Sequence, residues 1–182
     1  DEVDLSMLNG QVVSVQLGAT GYSNIEQITG NNTDSTLIGD SNNNVWNITG
    51  YNSGDVAGLY FSEFNNLTGG TGIDTFNIAA NVTGSILGGD NADIFNMGNT
   101  PFTGVLEGGA GSDTLNAFDT VANWSITALH TGQLNNIDFI DMENLVGAAT
   151  LNDTFTFDVT PTTAAVTIDG LGHASGDVVS FS

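Results

Sequence analysis

The chain of 182 residues contains no cysteine, no lysine and no arginine, and only two prolines. Without cysteine, no disulfide can brace the fold, and thiol redox chemistry is excluded. The sequence also lacks a run of about 18 apolar residues, so it predicts no transmembrane helix. Stability must therefore come from burial of apolar side chains, from backbone hydrogen bonds or from bound metal.

The absence of lysine and arginine leaves a formal net charge of −21, with the two histidines as the only side chains that can gain a positive charge. Such a charge repels phosphate backbones and anionic membranes, which argues against nucleic acid and membrane insertion as modes of action. The carboxylates have no internal partners, so water or metal cations must screen them. A hydrophobic share of 40% with ten phenylalanines excludes a disordered acidic tail.

One turn recurs three times, as Gly69–Asp74, Gly88–Asp93 and Gly108–Asp113, and a short apolar segment follows each copy. The aspartates that end these turns are 19 and 20 residues apart. A fixed period of this length is typical of stacked solenoid coils. An antiparallel sandwich also has short strands and glycine-rich turns, but it would not explain why the same turn returns at this interval.

Related positions extend the series in both directions. The predicted ladder comprises Asp34, Asp55, Asp74, Asp93, Asp113, Asp153 and Asp177, with Gln133 at a position that lacks its carboxylate. Apolar residues stand two and four places after most of these positions, which puts them on one face of a strand. A single coil cannot bury that face, whereas stacking at about 4.8 Å per coil buries it continuously.

The sequence thus predicts an all-β fold, a right-handed parallel β-solenoid of about 19–21 residues per coil and eight to nine coils. We expect one domain over residues 1–182. Residues 1–24 would form an irregular N-terminal strand or cap, and residues 25–182 the stacked coils.

The recurrent turn has a chemistry of its own. Glycines permit positive φ, so backbone carbonyls can curl toward one point, and the closing aspartate adds a carboxylate. Two such turns on successive coils could surround one hard cation. Calcium accepts six to eight oxygens at about 2.3–2.6 Å in flexible geometry, which suits this arrangement better than the tighter octahedron of magnesium.

These turns resemble the RTX, or haemolysin-type, calcium-binding nonapeptide Gly-Gly-x-Gly-x-Asp-x-(Leu/Ile/Phe)-x, with Asn91 at the place of one glycine. The resemblance implies a parallel β-roll, calcium between stacked turns and export by bacteria. Good copies recur every 19–20 residues, not every nine, and the longer coils look more like repeat regions of large bacterial surface adhesins. The alternative is that the turns stack without metal. The ligands that the resemblance implies are Gly70, Gly72, Asp74, Gly89, Asn91, Asp93, Gly109, Gly111 and Asp113.

The expected function is that of a non-enzymatic structural solenoid from a secreted or cell-surface bacterial protein, such as an adhesin stalk, a surface-layer unit or an extracellular fibre subunit. Strand-like sequence at both ends favours end-to-end association with further copies; a glycan or cell surface is the other expected partner. One alternative is a glycan- or ice-binding module with a flat threonine face, for which Thr75, Thr114 and Thr154 are candidates. A carboxylate-based glycan hydrolase is another, although no catalytic residue is singled out.

Isolated residues add little to this interpretation. His130 and His173 have no spacing that suggests zinc, so we expect surface histidines. Trp46, Trp124 and the Tyr60-Phe61 pair fall on strand-like segments. We expect these aromatic side chains in the core or in strand stacking, not as a platform for sugar.

Overall fold

The computed structural model of the chain describes residues 1–18, 24–158, 166–172 and 176–181. These residues form two ten-stranded, mainly parallel sheets, and the chain passes back and forth between them. The described residues include no helix of the length and apolarity needed to cross a membrane. The all-β, solenoid-like architecture predicted from the sequence is confirmed.

The first sheet, sheet A, contains in spatial order β1 (Glu2–Asp4), β3 (Gln27–Thr29), β7 (Leu59–Ser62), β6 (Ser53–Val56), β5 (Val45–Gly50), β9 (Thr75–Ile78), β11 (Ile94–Met97), β13 (Thr114–Asn116), β17 (Asn144–Val146) and β19 (Thr167–Asp169). The second sheet, sheet B, contains β2 (Val13–Gln16), β4 (Ser35–Ile38), β8 (Asn66–Gly70), β10 (Ser85–Asp90), β12 (Val105–Ala110), β16 (Ile137–Ile140), β15 (Thr131–Leu134), β14 (Asn123–Ala128), β18 (Thr154–Phe157) and β20 (Val178–Phe181).

The strands follow from the alternation of apolar and polar residues. In β9, Phe76 and Ile78 are buried while Asn77 faces outward, and β11 repeats the pattern in the same register. Like residues therefore lie over like. Phe76 stacks on Phe95 with ring centroids 5.0 Å apart, and Trp46 stacks on the other face of Phe76 at 5.6 Å. This column of rings lies between the sheets and forms part of one continuous core.

Two three-stranded insertions interrupt the simple coil. After β4 the chain enters sheet A and forms β5, which leaves two strand positions open between β3 and β5. The antiparallel strand β6 and then β7, which pairs with β3, fill these two positions. In sheet B the strands β14, β15 and β16 do the same. The expectation that every strand would be parallel is therefore wrong for β6 and β15. Because each sheet receives one insertion, both sheets have ten strands.

The two insertions are copies of each other. Residues 46–70 align without gaps to residues 124–148, at an offset of 78. In each copy the tryptophan meets a phenylalanine edge-on at 6.0 Å, Trp46 against Phe61 and Trp124 against Phe139. Four pairs of equivalent residues share a left-handed backbone: Asn52 and His130, Ala57 and Asn135, Gly58 and Asn136, Glu63 and Asp141. The same backbone thus occurs once in sheet A and once in sheet B.

The N-terminal residues contribute regular structure to both sheets. Strand β1 pairs in parallel with β3, and β2 pairs in parallel with β4. Part of the segment expected as an irregular strand or cap is the regular strand Val13–Gln16. Residues 1–18 therefore belong to the stacked architecture, and Gln11 and Leu8 offer their carbonyl oxygens to the buried side chain of Asn31 in the next coil.

Candidate functional site: a column of buried carboxylates

Asp74, Asp93 and Asp113 form a column along the corner where the chain passes from sheet B to sheet A. All three side chains are completely buried. The backbone N–H of Asp74 donates to Oδ1 of Asp93 at 2.7 Å, and that of Asp93 donates to Oδ1 of Asp113 at 2.8 Å. The prediction that these three aspartates stack on one another is confirmed.

The column continues through two residues that the sequence did not reveal. The N–H of Asn44 donates to Oδ1 of Asp74 at 2.6 Å, and the N–H of Asp113 donates to Oε2 of Glu143 at 2.8 Å. The other oxygen of Glu143 lies 2.7 Å from Nδ1 of His130. His130, expected as an isolated surface residue, is thus largely covered and paired. His173 lies outside the described residues.

The remaining members of the predicted ladder lie elsewhere. Asp153 and Asp177 stack on each other at the opposite corner, where the chain passes from sheet A to sheet B, with the N–H of Asp153 2.9 Å from Oδ1 of Asp177. Asp34 is exposed, and Ser35 takes the inward position beside it. Asp55 and Gln133 face outward on β6 and β15. A single seven-member ladder is therefore wrong, because the insertions lengthen two coils and shift the 20-residue spacing to the other corner.

The first glycine of each turn makes room for the aspartate five residues later. A Cβ at Gly88 would overlap Oδ2 of Asp93 and the carbonyl oxygen of Gly108 in the next coil. Gly69 stands in the same relation to Asp74, and Gly108 to Asp113. The Gly-Gly-x-x-x-Asp pattern is thus required by the packing of a carboxylate against the backbone.

The other glycines of the turn allow the coils to approach closely. Gly70, Gly89 and Gly109 stack on one another with φ of 121°, 116° and 101°, a region that favours glycine. A Cβ at Gly72 would overlap the carbonyl oxygen of Asn42, and a Cβ at Gly111 that of Asn91.

Asn91, which stands in place of the glycine at this position, has φ of 72° and donates from Nδ2 to the carbonyl oxygen of Thr71 at 2.8 Å. Asn91 thus adopts the left-handed conformation that a glycine would take at this place. All nine predicted ligand residues thus have steric or hydrogen-bonding roles in the stacking of the turns.

Carboxyl groups of the column have raised pKa values. Burial, together with the neighbouring Asp113, Asp74 and Asp90 carboxylates, raises the pKa of Asp93 to about 7, despite the hydrogen bond from the backbone of Asp74. Burial likewise raises the pKa of Asp113 to about 6, with smaller contributions from Glu143 and Asp141.

One oxygen of each of the three aspartates lacks a partner. Oδ2 of Asp74, Asp93 and Asp113 is buried and forms no hydrogen bond with any described residue. At Gly69 and Gly88, this oxygen and the carbonyl oxygen of the next coil both approach the position that a Cβ would occupy. Protonation of Oδ2, or a cation bound to it, would neutralise an otherwise uncompensated charge.

Within the described part of the chain, no three Asp, Glu or His side chains are arranged to hold a metal ion. A cation at the turns would therefore depend on backbone carbonyls together with single carboxylates. The unpartnered Oδ2 atoms fit this requirement, whereas the Oδ1 atoms already accept backbone N–H groups. Calcium at Gly70, Gly72, Asp74 and the equivalent residues of the next two turns stays a prediction.

The outer face of sheet A carries a second ladder, built from asparagines. Nδ2 of Asn77 donates to Asn47, Nδ2 of Asn96 donates to Asn77, and Nδ2 of Asn116 donates to Asn96, at 2.8–2.9 Å. These three bonds tie four neighbouring strands together on the solvent side. The alternation that places apolar residues on one strand face puts these asparagines on the other, but it does not predict their bonding.

The threonines proposed as a flat binding face do not form one continuous row. Thr75 and Thr114 flank Ile94 on sheet A, and Thr154 lies on β18 in sheet B. Of the aromatic residues, Trp46, Trp124 and Phe61 are buried as expected. Tyr60 is the exception, because its side chain is 66% exposed on the outer face of sheet A.

No protein-family model, curated protein or solved structure matches the chain. Membership of the RTX family therefore stays a prediction that depends on the three glycine-rich turns. The stacked architecture is supported independently of that resemblance, by the strand register and by the hydrogen bonds of the column.

Proposed function

We propose that the chain is a structural β-solenoid of a secreted or cell-surface bacterial protein, serving as an adhesin stalk, a surface-layer unit or an extracellular fibre subunit. In this proposal the solenoid is right-handed, comprises eight to nine coils and has no catalytic role. The observation that carries it is the in-register stacking of Asn44, Asp74, Asp93, Asp113 and Glu143, one over the next. Such stacking makes a stiff rod whose length grows with each coil.

The charge of the chain supports an extracellular setting with abundant cations. A rod with 21 carboxylates and no lysine or arginine repels itself unless cations screen it. We propose that calcium does so in the Gly-x-Gly-x-Asp turns, where the unpartnered Oδ2 atoms of Asp74, Asp93 and Asp113 would share it with turn carbonyls.

We further propose that the rod associates end to end. The outermost strand of sheet B, β20, leaves Val178, Val179 and Phe181 more than half exposed, although Phe181 stacks on Phe157 as an inner residue would. A further coil stacked on β20 would cover these side chains and pair with its open edge.

Thermal melting followed by circular dichroism, with millimolar calcium or with chelator, tests the calcium part of this proposal. A large rise in melting temperature with calcium and no equal rise with magnesium is expected. Equal melts in all three conditions would remove calcium from the account and leave the solenoid standing. Negative-stain microscopy of the same samples tests association, for which the expected result is filaments longer than a single chain; particles of single-chain length at every concentration would contradict it.

A further inference from the structure

Tyr60 lies in a shallow groove on the outer face of sheet A. The groove has a volume of about 330 Å³ and is lined by Gln27, Thr49, Ser53, Gly54, Tyr60, Phe61 and Ser62. That volume is at the lower end of the range for small-molecule sites and suits one or two sugar rings. Phe61 points into the core, so the exposed ring of the groove is that of Tyr60.

The polar groups of the groove are hydroxyls and one amide. Thr49, Ser53 and Ser62 contribute hydroxyls, and Gln27 contributes a carboxamide. None of the hydrogen bonds among the described residues uses the hydroxyl of Thr49 or Ser53, so both remain able to donate and accept. The residues that line this groove include no carboxylate, although Asp55 pairs with Tyr60 across the strands on the same face.

Gly54 on the antiparallel strand β6 does not shape the groove. It pairs with Ile48 and Phe61, which both point into the core, so its missing side chain would also face inward. The residue of β6 that faces outward beside Tyr60 is Asp55, and its Oδ2 accepts from Nδ2 of Asn47 at 2.9 Å. Tyr60 thus stands on the outer face beside hydroxyl groups and one carboxylate that is already hydrogen-bonded.

From this arrangement we propose that the Tyr60 groove binds a neutral saccharide, with a pyranose ring stacked on the tyrosine and its hydroxyls bonded to Gln27, Thr49 and Ser53. The apolar face of a pyranose packs on an aromatic ring, while hydroxyl and amide groups match its equatorial hydroxyls. A basic peptide is disfavoured because the carboxylate beside Tyr60, that of Asp55, already accepts a hydrogen bond from Asn47. An acidic polysaccharide is disfavoured by the net charge of −21.

The internal duplication supplies a built-in comparison. In the second copy the residue equivalent to Tyr60 is Asp138, and Gln133 donates to it at 2.7 Å. Gly132 keeps the same close approach to the backbone, since a Cβ there would overlap the carbonyl oxygen of Ser125. The backbone is thus preserved while the aromatic ring is absent, and we expect one site of this kind per chain.

Isothermal titration calorimetry with cellohexaose, mannohexaose and chitohexaose tests the proposal, with hexalysine and hexagalacturonate as charged probes. We expect at least one neutral hexasaccharide to bind with a stoichiometry of one. Tyr60→Ala should weaken that binding about tenfold, and Tyr60→Phe should retain it, because the stacking uses the ring. The matched control is Tyr51→Ala, which removes a tyrosine of nearly equal exposure, 64%, at the tip of the β5–β6 hairpin outside the groove.

The control should bind as the wild type does, and all variants should keep the wild-type melting temperature, because both tyrosines are exposed. The proposal is overturned if no neutral probe binds the wild type, if Tyr60→Ala binds as well as Tyr51→Ala, or if hexalysine binds in a Tyr60-dependent way. It does not depend on the stalk role, since the melting and microscopy experiments can fail while saccharide binding is observed, and the reverse.

Discussion

Asp74 and Asp93 are 19 residues apart in the chain, yet the backbone N–H of one donates to the carboxylate of the other at 2.7 Å in the closed core. The bond joins two successive coils. Its acceptor is a carboxylate, whose ionised form has a lower free energy in water than in a buried site. A buried, partly unpaired carboxylate is therefore part of the repeating unit. Its effects on stability can be measured one substitution at a time.

Asp93 is the first position to test. Asp93→Asn keeps an acceptor for the N–H of Asp74 and removes the buried charge, so in chelator at pH 8 it should raise the free energy of unfolding by up to about 4 kcal/mol. Asp93→Ala removes the same charge but leaves that N–H without an acceptor, so it should be less stable than Asp93→Asn by about 1–3 kcal/mol, with a further loss from the cavity. Urea denaturation measures both. A more stable alanine variant than asparagine variant would contradict the bond seen in the core.

The same carboxylates predict an inverted pH dependence. Because the pKa values of Asp93 and Asp113 in the folded chain, about 7 and about 6, lie above their ordinary value of 3.8, folding takes up protons. Their contribution is fully present below about pH 4 and is lost as the pH rises through 6 to 7. In chelator, unfolding midpoints should therefore be higher at pH 5 than at pH 8, and Asp93→Asn should reduce the difference. A steady rise in stability from pH 5 to pH 8 would be inconsistent with the buried column.

Gly88→Ala tests the packing of the turn. The added methyl would overlap both Oδ2 of Asp93 and the carbonyl of Gly108, and we expect a loss of roughly 2 kcal/mol or more. Gly172→Ala is the matched control, because nothing lies within 4 Å of its Cβ position; its effect should stay within about 0.5 kcal/mol. Equal melting temperatures for the two variants would contradict the close contact of Gly88 with Asp93 and Gly108.

The duplicated insertion predicts that equivalent glycines respond alike. Gly54→Ala and Gly132→Ala each place a methyl against a backbone carbonyl, that of Asn47 and that of Ser125. Both should lower the melting temperature by similar amounts, since the two copies share their backbone. Tolerance of one substitution alone would indicate that the copies differ in structure.

Much of this architecture could be predicted from the sequence, because the turns that end at Asp74, Asp93 and Asp113 recur in register with their apolar strands. The insertions could not be found from that period. The sequence signal of the insertions is the 78-residue offset that relates Trp46 to Trp124. This offset equals about four simple coils, so it does not distinguish a duplicated insertion from four such coils. Glu143 was missed for another reason, since it substitutes for an aspartate in the column although it belongs to no glycine turn.

The central claim is that the coils stack in register and that strands β7 and β6 are inserted between β3, which contains Gln27, and β5, which contains Asn47. Distances between spin labels, measured by double electron–electron resonance, test this claim most directly. The chain has no cysteine, so labels can be placed at Gln27→Cys with Asn116→Cys, and at Asn47→Cys with Val146→Cys. All four positions lie on one row of sheet A, six strand spacings apart in the first pair and four in the second. The distances should be about 29 Å and about 19 Å, at about 4.8 Å per strand. A longer distance for the second pair, which is the more widely separated in sequence, would contradict the account.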